Sequence, residues 1–420
     1  MKILIVGGGG REHAIAWKLS QSPAVEKLYC APGNPGIAQV AACLPVAVDD
    51  LAGIVEAARD NAVDLAVIGP ETPLAMGVTD LLEAAGIKTF GPNKNCARLE
   101  ASKAFTKDFL QRHDIPTARH RSFTDRGALE RAIGLFGFPM VLKADGLAAG
   151  KGVVIAETEA EAEAAIRRMM EEKAFGAAGE KVVVEEYLQG TEVSALCFVD
   201  EKSIVPMLPA QDYKRVFDAD NGPNTGGMGT YAPSRVVDAG MAERIRNEIL
   251  RPTLAGLQRD GLDFKGVLFV GLMITDEGPK VIEFNTRFGD PEAQSVLPLL
   301  ETDLADIVLA VTENRLSEVE IKWRHQSAVC VMLASEGYPG HFEKGFPIAG
   351  LAEAGEDGNA LLFHSGTAYG PDGRTIVTAG GRVLGVAALG ETHAEARQKA
   401  YERIGRIRFP GLHCRTDIGG

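Results

Sequence analysis

The first hundred residues alternate short apolar runs with amphipathic helical patterns, and few architectures bury both. An apolar run at residues 2–6 closes on Gly7-Gly8-Gly9-Gly10 and is followed by a helical pattern from about residue 12 to 20. Further runs stand at 28–31, 65–68 and 89–90, the last two ending in Gly69-Pro70-Glu71 and Gly91-Pro92, with helical patterns at 50–59 and 76–85. Continuous apolar strands interleaved with helices belong in a parallel sheet covered on both faces. Residues 1–101 are therefore predicted to form a Rossmann-like parallel α/β domain.

A glycine cluster between a first strand and a first helix offers backbone N–H groups to an anion. A dinucleotide fingerprint, Gly-x-Gly-x-x-Gly, begun at Gly7 would place its third glycine where Glu12 stands, and strand two ends in Ala31-Pro32-Gly33 rather than in the acid a ribose needs. This argues against NAD. The cluster is either a site for another anionic or polar ligand, touched also by Arg11, Glu12 and Glu71, or a tight packing turn.

From residue 102 the pattern becomes α+β. A helix over 102–112 leads to apolar runs at 139–144, 152–156 and 181–186, with a helix over 158–172 packed on them. Strands follow in 192–208, then a Gly-, Asn- and Pro-rich loop over 209–233, a helix over 238–258 and a hairpin of 266–275 with 279–285. β-rich runs at 327–333 and 375–388 and a helix over 392–406 close the chain. The expected units are 102–325, with a lobe at about 120–190, and a β-rich domain over 326–420.

The turn between the runs at 139–144 and 152–156 is not a Walker A loop. Three residues, not four, separate Gly146 from Gly150, Gly152 stands in place of Ser/Thr, and β-branched residues follow. It reads as an antiparallel hairpin whose N–H groups close over polyphosphate, with Lys143 on the incoming strand and Lys151 in the turn offsetting charge. Downstream, a buried strand ends in Glu185 and Glu186 before Tyr187 and Leu188. A strand edge supplies the backbone donor and acceptor an adenine needs, and Glu192 stands where a ribose calls for a carboxylate.

In Val281-Ile282-Glu283-Phe284-Asn285 side chains alternate with period two, which sends Ile282 and Phe284 into a core and Glu283 with Asn285 to the other face. Two hard oxygen ligands spaced i and i+2 suit an octahedral ion that also takes phosphate oxygens, Mg²⁺ or Mn²⁺. Arg287, Gly289, Asp290 and Glu292 follow, a concentration of charge that is costly on a buried hairpin without a ligand. The preceding strand, 268–274, carries no second metal carboxylate.

A net charge of −13, from 44 Lys+Arg against 57 Asp+Glu, argues against a nucleic-acid or anionic-membrane surface. No apolar stretch approaches the roughly 20 residues of a spanning helix, and the start lacks the apolar run of a signal peptide. Six scattered cysteines without a Cys-x-x-Cys pair read as free thiols in a reducing compartment. A cytoplasmic protein is expected.

Together the lid, the strand-end acids and the Glu-x-Asn strand resemble the ATP-grasp superfamily. More narrowly, the chain resembles the phosphoribosylamine–glycine ligase (glycinamide ribonucleotide synthetase) family over essentially its whole length. The resemblance is carried by Gly9-Gly10-Arg11-Glu12-His13, Gly69-Pro70-Glu71, Ser102-Lys103-Ala104-Phe105-Thr106-Lys107 and the lid. It continues in Gln211-Asp212-Tyr213-Lys214-Arg215, Asn224-Thr225-Gly226-Gly227-Met228-Gly229, the metal strand with its 287–292 extension, Gly380-Gly381-Arg382, and Arg415-Thr416-Asp417-Ile418-Gly419.

It implies an ATP-grasp fold with an N-terminal pre-ATP-grasp domain and a C-terminal β-rich domain. The reaction implied is ligation of glycine to 5-phosphoribosylamine, with ATP cleaved to ADP and phosphate through glycyl phosphate, in de novo purine biosynthesis. Mg²⁺ or Mn²⁺ would sit on Glu283 and Asn285. ATP would meet Lys103, Lys143, Gly146, Gly150, Lys151, Gly152, Glu185, Glu186, Tyr187, Leu188 and Glu192. Arg287 is expected near the glycine carboxylate or the transferring phosphoryl group, and Asp212 or Asp290 near an amine, with Lys214 as a further catalytic residue. Gly9, Gly10, Arg11, Glu12, Glu71, Asn224, Thr225, Gly226, Gly227 and Arg382 are expected to hold substrate, the ribosylamine phosphate lying at the first loop and Arg382. A monomer is expected. A biotin-dependent carboxylase subunit or another purine-pathway ligase would share the lid and metal strand, but the 211–229 block discriminates against them. Against a nucleotide-binding module without turnover stand both lid lysines and the Glu283/Asn285 pair.

Overall fold

The computed structural model describes residues 1–147, 152–355 and 360–420. Strand Lys2–Gly7 lies at the centre of a five-stranded parallel sheet, flanked by Lys27–Pro32 and Leu65–Ile68, with Ala42–Cys43 and Lys88–Phe90 at the edges. The buried runs thus form the parallel sheet their composition predicts. The helical pattern at 76–85 is helix Val78–Ala84, and a separate short helix, Glu71–Met76, precedes it, the two divided at Gly77, whose left-handed conformation (φ +99°) only glycine takes cheaply.

Two four-stranded antiparallel sheets follow. One orders His120–Phe123, Val182–Glu186, Met140–Ala144 and Val153–Ala156. Its hairpin pairs as expected, closed by Ala144 N–H donating to Gly152 O at 2.8 Å. Gly150 and Lys151 lie outside the described residues. The other sheet orders Ile204–Pro206, Thr191–Val199, Gly266–Thr275 and Gly278–Asn285. The two sheets meet at a parallel bridge between Thr117 and Val281, where Thr117 Oγ1 donates to Val281 O at 2.6 Å.

The segment over 209–233, expected as a loop, is partly strand. Gln211–Asp212 and Gly229–Ala232 pair with each other, and Gly229–Ala232 pairs in turn with Ser327–Ser335, which continues to Arg382–Gly390 and Ala360–His364. A Cβ on Gly229 would lie 2.6 Å from Cys330 O, so the close approach of these strands requires glycine. One apolar core runs through all three regions, joining Ile3 and Ile15 to Leu196, Phe288, Cys330 and Phe363. Among the described residues no helix is long and apolar enough to cross a membrane.

Candidate active site

The hairpin of Gly266–Thr275 and Gly278–Asn285 builds the floor of the site, and it contains a bulge. Gly271 pairs with Glu283 but Leu272 with Val281, leaving Ile282 as an extra residue. The bulge corrects the simple alternation: Val281 and Phe284 enter the core, while Ile282, expected there, lines a cavity with Glu283. That cavity is further lined by Glu192, Ser194, Asp212, Lys214 and Phe269.

Lysines surround it. Lys143 Nζ lies 2.9 Å from Glu185 Oε1 and donates to Ile282 O at 3.3 Å, bridging the two sheets. Lys107, from helix Lys103–Arg112, reaches Glu185 Oε2 at 2.9 Å and Thr117 Oγ1 at 2.7 Å. Lys103 donates to Gly146 O at 3.0 Å, tying that helix to the lid. Lys214 reaches Glu192 Oε2 at 2.8 Å. Burial alone would push the Glu283 carboxyl up, but Lys214, Lys143 and Lys103 bring it below its ordinary value. Burial is likewise overcome at Glu185 by Lys143 and Lys107. Glu186 instead accepts from Arg119 N at 2.9 Å and Nε at 2.6 Å, while Tyr187 is exposed.

Arg287 is deeply engaged. It contacts Glu100 Oε1 at 2.8 Å, Glu71 Oε2 at 3.2 Å, Phe288 O at 3.1 Å and Asn285 Oδ1 at 3.5 Å. Asp290 Oδ1 meets Arg382 Nη2 at 3.2 Å and Gln294 Nε2 at 2.9 Å. Arg382 Nη1 also donates to Gly226 O at 2.7 Å and to Asp290 O at 2.9 Å, clamping the 224–229 loop against the residues after the metal strand. Thr225 Oγ1 donates to Lys214 O at 2.8 Å, whereas Asn224 is exposed on a short hairpin. At the first glycine loop Glu12 folds back under the turn. Its Oε2 accepts from Gly9 N at 2.6 Å, and its Oε1 pairs with Arg11 Nε at 2.6 Å. A Cβ at Gly7 would lie 2.5 Å from Glu12 Cγ, so the loop's glycines make room for this carboxylate.

Glu100, Ser194 and Gln294 belong to this network but carried no signal in the sequence, and Lys107 entered only as the end of the Ser102–Lys107 motif. The partners of Lys107, Glu100 and Ser194 lie far off in the chain, whereas Gln294 donates to Asp290 one helical turn before it. Glu283 makes no ion pair among the described residues, although three lysines act on it. With the Asn285 side chain bonded to it, this carboxylate belongs to an oxygen-donor pair that fits Mg²⁺ or Mn²⁺ sharing phosphate oxygens.

Two four-stranded antiparallel sheets bridged by Lys143, the second of them carrying Glu283 and Asn285, make the arrangement of an ATP-grasp enzyme. Three domain models of phosphoribosylglycinamide synthetase match the chain: the N domain over residues 1–100, the ATP-grasp (A) domain over 101–293 and the C domain over 328–420. The chain belongs to the phosphoribosylglycinamide synthetase family and is an ATP-grasp ligase. It is 47% identical over 418 residues to a phosphoribosylamine–glycine ligase of Caldanaerobacter subterraneus, covering 100% of this chain and 99% of that one. With a trifunctional purine biosynthetic protein adenosine-3 of Gallus gallus it shares 50% identity over 422 residues, 100% of this chain and 42% of that protein. A crystal structure of phosphoribosylamine–glycine ligase from Thermotoga maritima superposes with a TM-score of 0.88 at 34% identity, over 99% of this chain and 100% of that one. Biotin carboxylase from Campylobacter jejuni, at TM-score 0.74 and 16% identity over 98% and 92% of the two chains, shares the fold.

Proposed function

We propose that the chain joins glycine to 5-phosphoribosylamine, with ATP cleaved to ADP and phosphate, in de novo purine biosynthesis. The observation that carries this reading is the meeting of Asp212, Lys214 and Glu283 at one cavity, with Arg382 clamping the 224–229 loop to Asp290 nearby, in a chain of this family. Glycine's carboxylate oxygen takes the γ-phosphoryl group, giving glycyl phosphate and ADP. The ribosylamine nitrogen then adds to the acyl carbon, phosphate leaves, and the nitrogen loses a proton.

Lys103, Lys143 and Lys151 offset phosphate charge as it builds up. Gly146, Gly150 and Gly152 let the lid close, and closure keeps water from the acyl phosphate. Residues 185–188 present backbone to the adenine, and Glu192 faces the ribose. Glu283 and Asn285 would hold the metal, which when bound would supply further charge neutralisation on the phosphates. Arg287, fixed by Glu71 and Glu100, orients Asn285 and faces the reacting carboxylate, with Asp212, Lys214 and Asp290 around it. Gly9, Gly10, Arg11, Glu12 and Glu71, with Asn224–Gly227 and Arg382, form the side on which phosphoribosylamine binds. The units are 1–101, 102–325 with a lid lobe at about 120–190, and 326–420, in a monomeric cytoplasmic enzyme.

The test is phosphate release from ATP by the purified chain. It is expected only when Mg²⁺, glycine and phosphoribosylamine are all present. ATP turnover that follows bicarbonate, or that proceeds without an amine, overturns the reading.

A further inference from the structure

Most acids around the cleft are matched to a cation. Glu185 has Lys107 and Lys143, Glu192 has Lys214, Glu71 and Glu100 share Arg287, and Asp290 has Arg382. Three lysines act on Glu283, which leaves Asp212 and Glu292. Asp212 lines the cavity beside Ser194 and Lys214, and its Oδ1 is buried without a hydrogen-bond partner. Glu292 is 3% exposed and accepts from Ser194 Oγ at 3.0 Å.

The backbone places the two acids together. Thr230, the register partner of Asp212, donates to Pro291 O at 3.2 Å. A Cβ on Gly227 would lie 2.7 Å from Asp212 Oδ1 and 2.5 Å from Pro291 Cδ. Ser194 belongs to the same corner, exchanging backbone bonds of 2.9 Å with Ala210. Burial raises both carboxyls, and at Asp212 the charge of Glu292 adds to it. A buried acid pair with an unpartnered oxygen is costly unless a cation joins it.

We propose that Asp212 and Glu292 form the subsite for the ammonium group of the amino-acid substrate, with Ser194 as the positioning residue that orients Glu292. This rests on the reading of glycine as the substrate. Asp290, the other acid near the cleft, is already engaged by Arg382 and Gln294. An ammonium donates N–H bonds to two carboxylates and, while it stays protonated, has no lone pair. Held in this way, glycine is told from a hydroxy acid of the same size by its ammonium, and the neutral amine of the second substrate adds to the acyl carbon.

The test is steady-state kinetics of the full chain with glycine varied, on wild type, Asp212→Asn, Glu292→Gln and Ser194→Ala, with glycolate as a competing inhibitor. Loss of a charge-assisted contact raises the KM for glycine about tenfold or more in the two carboxylate variants, and about threefold in Ser194→Ala. The KM values for ATP and phosphoribosylamine stay within about twofold of wild type. Preference for glycine over glycolate shrinks by the same factor as the glycine KM rises, which a merely loosened fold does not produce. Where a carboxylate variant does not fold, Ser194→Ala decides. An unchanged glycine KM, or a shift in half-saturating Mg²⁺ in its place, overturns the proposal while leaving the ligase reading intact. A wild-type chain that does not couple ATP turnover to both substrates overturns the two together.

Discussion

Glu185 joins two lysines that would otherwise repel each other inside the protein. Its side chain is 4% exposed, and those of Lys107 and Lys143 are 2% and 6% exposed. Burial lowers Lys107 to about 8 even with this partner. Glu185→Gln removes the only carboxylate within ion-pair distance of either lysine among the described residues. Breaking a buried pair from one side is expected to cost about 3 kcal/mol of stability, read by denaturant unfolding, and to raise the KM for ATP. The sequence displays an acid at a strand end, and that much was legible. Lys107 stands in the 102–107 motif, but nothing local names Glu185 as its partner, because the helix pattern resembles any half-solvated face. Glu283 and Asn285 were readable because their spacing is local. Glu100 and Ser194 were not, because their roles exist only once distant strands and helices are brought together.

At the scale of the element, the hairpin at 266–285 was placed to within a residue or two, since the apolar runs Val267–Val270 and Leu272–Ile274, broken only by Gly271, have few alternatives. Its bulge was not, because a bulge is a matter of register between strands and leaves no mark on the alternation of one of them. The short strands in 211–232 were missed for a related reason. Glycine and proline there suggest a loop, and the partner strand stands a hundred residues further on. This pairing carries Asp212 into the site. Gly229→Ala forces Cys330 O and the strand around it to move, at an expected cost of about 1–3 kcal/mol. The displacement is expected to weaken glycine binding more than ATP binding, as parallel KM measurements will show.

Across the whole molecule, two buried histidines fasten the N-terminal helix to the C-terminal sheet. His364 N–H donates to His13 Nδ1 at 2.8 Å, which fixes the unprotonated nitrogen, and Asn34 Nδ2 bridges His364 O and Gly8 O at 2.8 and 2.9 Å. Burial, and then His364, lowers His13 from 6.5 to about 3; burial lowers His364 to about 4. Between those values and 6.5 the unfolded chain binds more protons than the folded one, so stability falls as pH falls. By pH 5 the loss is about 4 kcal/mol for the pair, and His364→Gln is expected to remove about half of that slope in unfolding measured at pH 7.5 and 5. The parallel sheet near the N-terminus and the antiparallel hairpins after it were legible from strand and helix periodicity. The fastening between them was not, since neither histidine stands in a pattern that names the other.

Strands Gln211–Asp212 and Gly229–Ala232 lie in the same sheet as Ser327–Ser335 and Arg382–Gly390. A chain cut anywhere between 233 and 326 would therefore yield two fragments, each exposing a raw sheet edge whose matching strand is on the other. Such halves would rejoin by strand complementation rather than persist as separable modules. A polypeptide that incorporates this unit has to incorporate all of it.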